Sequence, residues 1–201
     1  MSRHRRGGNR HGTGNKPRTK IQPPRKPRIA LIGFRGVGKS AIARRLSEHW
    51  QMPLVSLDEA IERHAGMKIE DIVKAHGWPH FRDTEYHELA QAAALDRVLL
   101  DCGGGIVEEA DGSPSERKLR ILADSFFCIY ISTSEEKLVQ RLKNLSRNAS
   151  RPDLPSADTP ESLMAVFRRR EPLYLRVAHM VVDVSDTNIA ESAFRITQMF
   201  K

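Results

Sequence analysis

The chain has 201 residues, 39% of them hydrophobic, and a formal net charge of +8, a length that holds one domain of ordinary size with a tail. No apolar run approaches the ~18 residues of a membrane span, and the basic N-terminus lacks the apolar stretch of a signal peptide, so neither a membrane-spanning nor a secreted protein is expected. Ten of the 33 Lys and Arg, and none of the 25 Asp and Glu, lie within residues 1–28; the basicity belongs to the tail, and a nucleic-acid-binding face on the domain is not expected.

Residues 1–27 are rich in Arg, Lys, Gly, Asn and Pro, with Ile21 the single aliphatic residue after Met1. Such a segment cannot bury enough surface to offset its ordering entropy and is expected to be disordered. It reads as a solvated extension or a mis-assigned start. A polyanion-binding arm is the sharper reading, but no aromatic residues are interleaved for base stacking; nor does an amphipathic pattern support a transit peptide. The domain is expected over 28–201.

The pattern changes at Arg28. Ile29–Ile32 is a short apolar run ending in glycine, a buried strand, and a helix follows from Lys39 to about Trp50. Pro53–Leu57 reads as a second strand. Helical patterns cover Asp58–His64, Ile69–His76 and Phe81–Leu95. Arg97–Asp101 is a third strand, running towards three glycines, and Ser115–Ala123 a helix. Phe126–Ile131 is a fourth strand and Glu135–Leu145 a helix. Residues 146–160 are polar and hold three prolines, a loop. Glu161–Val177 is helical, with Pro172 a point of kinking or restart. Met180–Val184 is the fifth strand, and Ile189–Phe200 closes the chain as a helix. Strands alternating with helices imply a single α/β domain with a five-stranded parallel sheet, helices on both faces and right-handed crossovers. The two cysteines, Cys102 and Cys128, imply no disulfide framework and fit a cytoplasmic location.

Gly33-Phe34-Arg35-Gly36-Val37-Gly38-Lys39-Ser40 fits G-x-x-x-x-G-K-[ST], between a strand and a helix. The glycines Gly33, Gly36 and Gly38 let the backbone curl so that successive N–H groups, from Val37 through Ser40 and Ala41, face one anion at a helix N-terminus. Lys39 can reach the β- and γ-phosphates of a nucleoside triphosphate, and the Ser40 hydroxyl can ligate Mg²⁺. A plain glycine turn has no need of Lys-Ser at this spacing. The loop by itself does not separate kinases from other nucleoside triphosphatases.

Further pieces follow in order: Asp58 after the second strand, Phe81-Arg82 with Glu85, the triplet Gly103-Gly104-Gly105, Arg151-Pro152, and Arg170-Glu171-Pro172-Leu173-Tyr174. With the P-loop they resemble shikimate kinase from about residue 28 to 200. The stretches His76–Arg82 and Cys102–Glu108 are similar to the kinase domain of the fused shikimate-pathway enzyme of fungi. The resemblance implies a kinase with a lid loop that transfers the γ-phosphoryl of ATP, with Mg²⁺, to the 3-hydroxyl of shikimate.

It assigns Arg82 and Arg170 to the shikimate carboxylate, which the planar guanidinium fork matches. Glu85 follows Arg82 by three residues, on the same helical face, where it can hold the guanidinium. Arg168 and Arg169 make Arg170 part of a basic run, and only the following Pro-Leu-Tyr singles it out. Asp58 is assigned to the reacting hydroxyl, as base or orienting group; as the opening residue of a helical pattern it also reads as an N-cap. The glycine triplet lets backbone N–H groups approach the substrate. Arg151, in the lid, is assigned to the phosphates. Arg141 matches an arginine that stacks on adenine, and reads equally as a helix-surface residue.

Two positions depart from the family. It usually carries Asp-x-Asp after the second strand, where this chain has Ser56-Leu57-Asp58, so the acid that supports Mg²⁺ is missing. At the third strand Asp101 stands where the family usually has a neutral residue, and Leu99–Gly104 reads as apolar residues followed by D-x-x-G. Asp101 either supplies the charge lost at Ser56 or is a strand-end residue bonded to a neighbour. Competing functions are a nucleotide-binding regulatory homologue, motivated by Ser56 and the tail, and a kinase for another anionic polyol such as gluconate, or for a nucleotide. Nothing in the sequence implies an oligomer, and a monomer is expected.

Overall fold

The computed structural model describes residues 28–145 and 159–200. The expected disordered tail, and the expected lid loop with Arg151, lie outside the described residues. Five strands, β1 (Arg28–Ile32), β2 (Leu54–Ser56), β3 (Val98–Asp101), β4 (Phe127–Ser132) and β5 (Met180–Asp183), pair in parallel in the order β2-β3-β1-β4-β5. The helices are α1 (Lys39–Trp50), α2 (Leu57–Ala65), α3 (Ile69–Ala93), α4 (Glu116–Ser125), α5 (Glu135–Leu145), α6 (Pro160–Val177) and α7 (Ile189–Met199).

The period of two along each strand divides the core. Ile29, Leu31, Leu99, Ile129 and Ile131 face one side, against residues of α1, α5 and α7. Ala30, Ile32, Leu100, Cys128 and Tyr130 face the other, against α3 and α4. Helix α6 serves both: Met164 and Phe167 join the first cluster, Tyr174 and Val177 the second. A smaller cluster of Ile61, Ile72 and Phe81 ties α2 to α3 beside the sheet. Among the described residues no helix is long and apolar enough to cross a membrane.

Several element bounds differ from those read in the sequence. The second strand stops at Ser56, because the Ser56 hydroxyl caps α2 by accepting from the Glu59 N–H at 3.4 Å. Asp58 therefore lies inside the first turn, and the N-cap reading of it is corrected. The helices expected over 69–76 and 81–95 are one element ending at Ala93, kinked at Gly77 (φ 78°, ψ 170°). Pro79 sits just past that kink, in the first turn of the restarted half, where its missing N–H costs little. Pro172 lies inside α6, which runs through it unbroken.

Candidate functional site

Ligand sites of open parallel sheets lie beyond the carboxyl ends of the strands, where the strand order switches. Here the P-loop follows β1, Ser56 and Asp58 follow β2, and Asp101 with the glycine triplet follows β3. Gly33, Gly36 and Gly38 take φ of 141°, 83° and 99°. A Cβ at Gly33 would lie 2.5 Å from the Ile131 carbonyl oxygen. Helix α1 has neither an acid in its first turn nor a side-chain cap on its first N–H groups, which leaves its positive end for an anion. Lys39 is buried, and its ammonium donates to the Phe34 carbonyl at 3.0 Å. Ser40 and Ala41 are exposed at the start of α1. Arg141 donates to the carbonyls of Val37 (3.3 Å) and Val184 (2.7 Å), so its fork sits beside the P-loop.

A cavity of about 600 Å³ opens next to this loop, lined among others by Ser40, Asp58, Arg82, Asp101, the three glycines and Arg170. The structure thus brings together the residues that the sequence singled out from α1, α2, α3, β3 and α6. The triplet makes the convergence sterically feasible. A Cβ on Gly103 would meet the Asp58 carboxylate at 2.9 Å, one on Gly104 the backbone N of Arg35 at 2.9 Å, and one on Gly105 would overlap the Arg82 guanidinium. Each missing side chain admits a different part of the site.

Both arginines are buried and held by carboxylates. Arg82 Nη1 donates to Glu85 Oε2 at 2.8 Å, one helical turn on, with Trp78 and Phe81 beneath the guanidinium. Arg82 Nε has no hydrogen-bond partner among the described residues. Arg170, 3% exposed, donates from Nε to Glu108 Oε2 at 2.6 Å and from Nη1 to the Gly104 carbonyl at 3.1 Å. The Tyr174 hydroxyl donates to that same carbonyl. Arg170 also stacks over Phe34 of the P-loop. Its neighbours in the basic run differ: Arg168 is 65% exposed and pairs with Glu135, and Arg169, half exposed, pairs with the other oxygen of Glu108.

Two members of this network had no signal in the sequence. Lys118, 0% exposed in α4, donates to Glu85 Oε2 at 2.7 Å and to the Glu108 carbonyl at 2.7 Å. Glu108, in the turn after the glycines, receives both Arg169 and Arg170. Burial pushes the Glu85 carboxyl up, but Arg82 and Lys118 outweigh it and hold the group below the usual carboxylate range. Burial pulls the Lys118 ammonium below the ordinary lysine value, opposed by Glu85.

At the other end of the cavity Asp101 is buried, and its Oδ1 has no hydrogen-bond partner among the described residues. Ser56 is its register partner on β2. No group of three or more His, Cys, Asp or Glu side chains comes together for a metal among the described residues. Ser40 and Asp101 suit the mode in which Mg²⁺ takes one or two protein oxygens beside phosphates.

A family model for shikimate kinase matches residues 35–201. The shikimate kinase of Leptospira biflexa is 35% identical over 173 residues, 84% of this chain and 92% of that protein. That of Dictyoglomus turgidum is 32% identical over 174 residues, 86% of this chain and 96% of that protein. Among solved structures, the shikimate kinase from Acinetobacter baumannii in complex with shikimate has a TM-score of 0.73 at 26% identity, over 86% of this chain and 92% of that one. A gluconokinase from Sinorhizobium meliloti reaches 0.54 at 16% identity, over 87% of this chain and 91% of that one, a likeness of fold alone. The match along nearly the whole domain agrees with the motifs, and the chain belongs to the shikimate kinase family.

Proposed function

We propose that the protein transfers the γ-phosphoryl group of ATP to the 3-hydroxyl of shikimate, giving 3-phosphoshikimate and ADP. The observation that carries this reading is the convergence of two buried, carboxylate-anchored arginines on a cavity that also holds Asp58 and the P-loop Ser40.

In this reading Arg82 and Arg170 bind the shikimate carboxylate. Glu85 and Glu108 hold them in place, so little side-chain ordering remains to be done on binding. Asp58 orients the reacting hydroxyl and accepts its proton. The P-loop N–H groups cradle the phosphates, Lys39 leaves the Phe34 carbonyl for them, and Arg141 flanks the nucleotide. Arg151, outside the described residues, is assigned to the phosphates by the resemblance. Ser40 Oγ and Asp101 fit Mg²⁺, the second because it is a buried acid with an oxygen left over; bound with ATP, the ion would neutralise charge on the phosphates. All the groups named come from one chain, so a monomer suffices, and the two buried thiols fit a reducing cytoplasm.

A coupled assay of ADP release tests the proposal. ADP release should depend on shikimate and respond far less to gluconate. A rate that ignores shikimate would leave a nucleotide-binding homologue, and a preference for gluconate would reassign the substrate.

A further inference from the structure

The shikimate reading asks the floor of the cavity to take a carboxylate into a place already furnished with carboxylates. Glu85, Glu108 and Asp58 are all there. Two arginines alone would leave that group with more negative than positive charge, and an anion would be repelled from the site meant to bind it. The balance changes through two cations. Arg169 is half exposed and its field is weakened by water. Lys118 is fully buried. With Lys118 included, four cations (Arg82, Lys118, Arg170 and the screened Arg169) face three carboxylates (Glu85, Glu108, Asp58), a positive surplus of at most one charge; without it the group is neutral at most, and behind Lys118 the charge of Glu109 is offset by Arg117. Nearer the P-loop, the buried Lys39 and Asp101 carry one charge of each sign. On the outer wall Arg35, Arg44 and Lys68 offset Glu59, Glu62 and Glu70.

Lys118 is not part of the cavity lining, and its ammonium is occupied by Glu85 and the Glu108 carbonyl. It does not reach a ligand. We infer that Lys118 is the residue that sets the substrate charge this site accepts: from behind the arginines it turns the balance of the group positive, which a mono-anion then neutralises. This inference rests on the shikimate reading. Lys118 is a positioning and charge-setting residue, with Glu85 as the group through which it acts on Arg82.

A role in charge and a role in scaffolding predict different things for a double replacement. Lys118→Met removes the surplus. Glu85→Gln adds one, while its amide oxygen still accepts from Arg82. Lys118→Met with Glu85→Gln restores the surplus. We expect the KM for shikimate of Lys118→Met to rise about tenfold or more, because a buried charge has been removed from an anion site. The KM for ATP should move by less than about threefold, since neither hydrogen bond of Lys118 goes to the P-loop. The double variant should recover most of the shikimate affinity lost by the single one.

A double variant as poor as Lys118→Met, or a Lys118→Met enzyme with wild-type KM for shikimate, overturns the inference while leaving the functional reading intact. A wild-type protein without shikimate-dependent ADP release overturns that reading, and the inference with it. Should Lys118→Met fail to fold, Lys118→Gln decides: a KM for shikimate raised about tenfold with the KM for ATP kept supports the surplus, and a wild-type KM for shikimate overturns it.

Discussion

Ser56 and Asp101 face each other in register across β2 and β3, a capping serine opposite a buried acid with one oxygen unpartnered among the described residues. Asp101 thus puts an acid one strand away from the β2 position where the resemblance expects one and the chain has Ser56. Asp101→Asn should raise the Mg²⁺ concentration for half-maximal turnover about tenfold or more. It should also weaken the enhancement of ADP binding by Mg²⁺, read by calorimetry. Ser56→Asp in the same chain should restore both. Unchanged Mg²⁺ titrations in Asp101→Asn would return Asp101 to the role of a plain strand-end residue.

The glycine triplet gives three different phenotypes from one kind of substitution. Gly105→Ala pushes on the Arg82 guanidinium and should act on the KM for shikimate, with ATP affinity kept. Gly104→Ala places a methyl group 2.9 Å from the backbone of the P-loop at Arg35. Backbone cannot swing aside as a side-chain tip can, so this variant should lose stability by about 1–3 kcal/mol and weaken ATP binding as well. Thermal melts with and without ADP separate the two cases; equal effects of both variants on both ligands would contradict the assignment.

Three consecutive arginines in α6 should behave as three different residues. Arg170→Lys keeps the charge but replaces the planar fork, whose Nε and Nη1 reach Glu108 and the Gly104 carbonyl from separate atoms, with a single ammonium point. Its kcat/KM for shikimate should fall by about two orders of magnitude. Arg168→Ala breaks only an exposed pair with Glu135 and should leave both stability and kinetics close to wild type. Comparable losses in the two variants would mean that the burial of Arg170 has no functional meaning.

Acid should loosen the fold through carboxylates held by arginines, Glu109 among them. The hydrogen bond from Arg117, with a further one from Ser115, pulls the Glu109 carboxyl from 4.5 down to about 2. Glu85 is also held below 4.5. A carboxyl whose folded pKa is depressed adds stability that is complete above its unfolded value and is lost as pH falls towards its folded value. The melting temperature should therefore drop between pH 4.5 and about 2. Glu109→Gln should start lower and fall less steeply over that range. A parallel pair of curves would remove Glu109 from the account.

Residues close together in the chain could be read correctly without coordinates. Glycines at three P-loop positions imply backbone with positive φ, and the strand before and helix after complete an anion cradle from local geometry alone. Glu85 is the partner of Arg82 because three residues make one helical turn. The errors were local competitions. Ser56 and Asp58 are both good caps two residues apart, and only the path of β2 chose between them. Gly-Trp-Pro after His76 reads as a break, yet a single glycine kink absorbs it and the helix resumes.

Lys118 and Glu108 are a different matter. Their charged partners lie 33 and 62 residues away in the chain, and in sequence each is an ordinary surface-type residue. Strand order brings β3 between β1 and β2, and packing of α4 and α6 on one sheet face then closes a low-dielectric space around them. Chemistry carried by residue type and short spacing was present in the linear chain; which charges are sealed from water, and so what net charge the floor of the cavity holds, exists only once distant segments exclude solvent from one another.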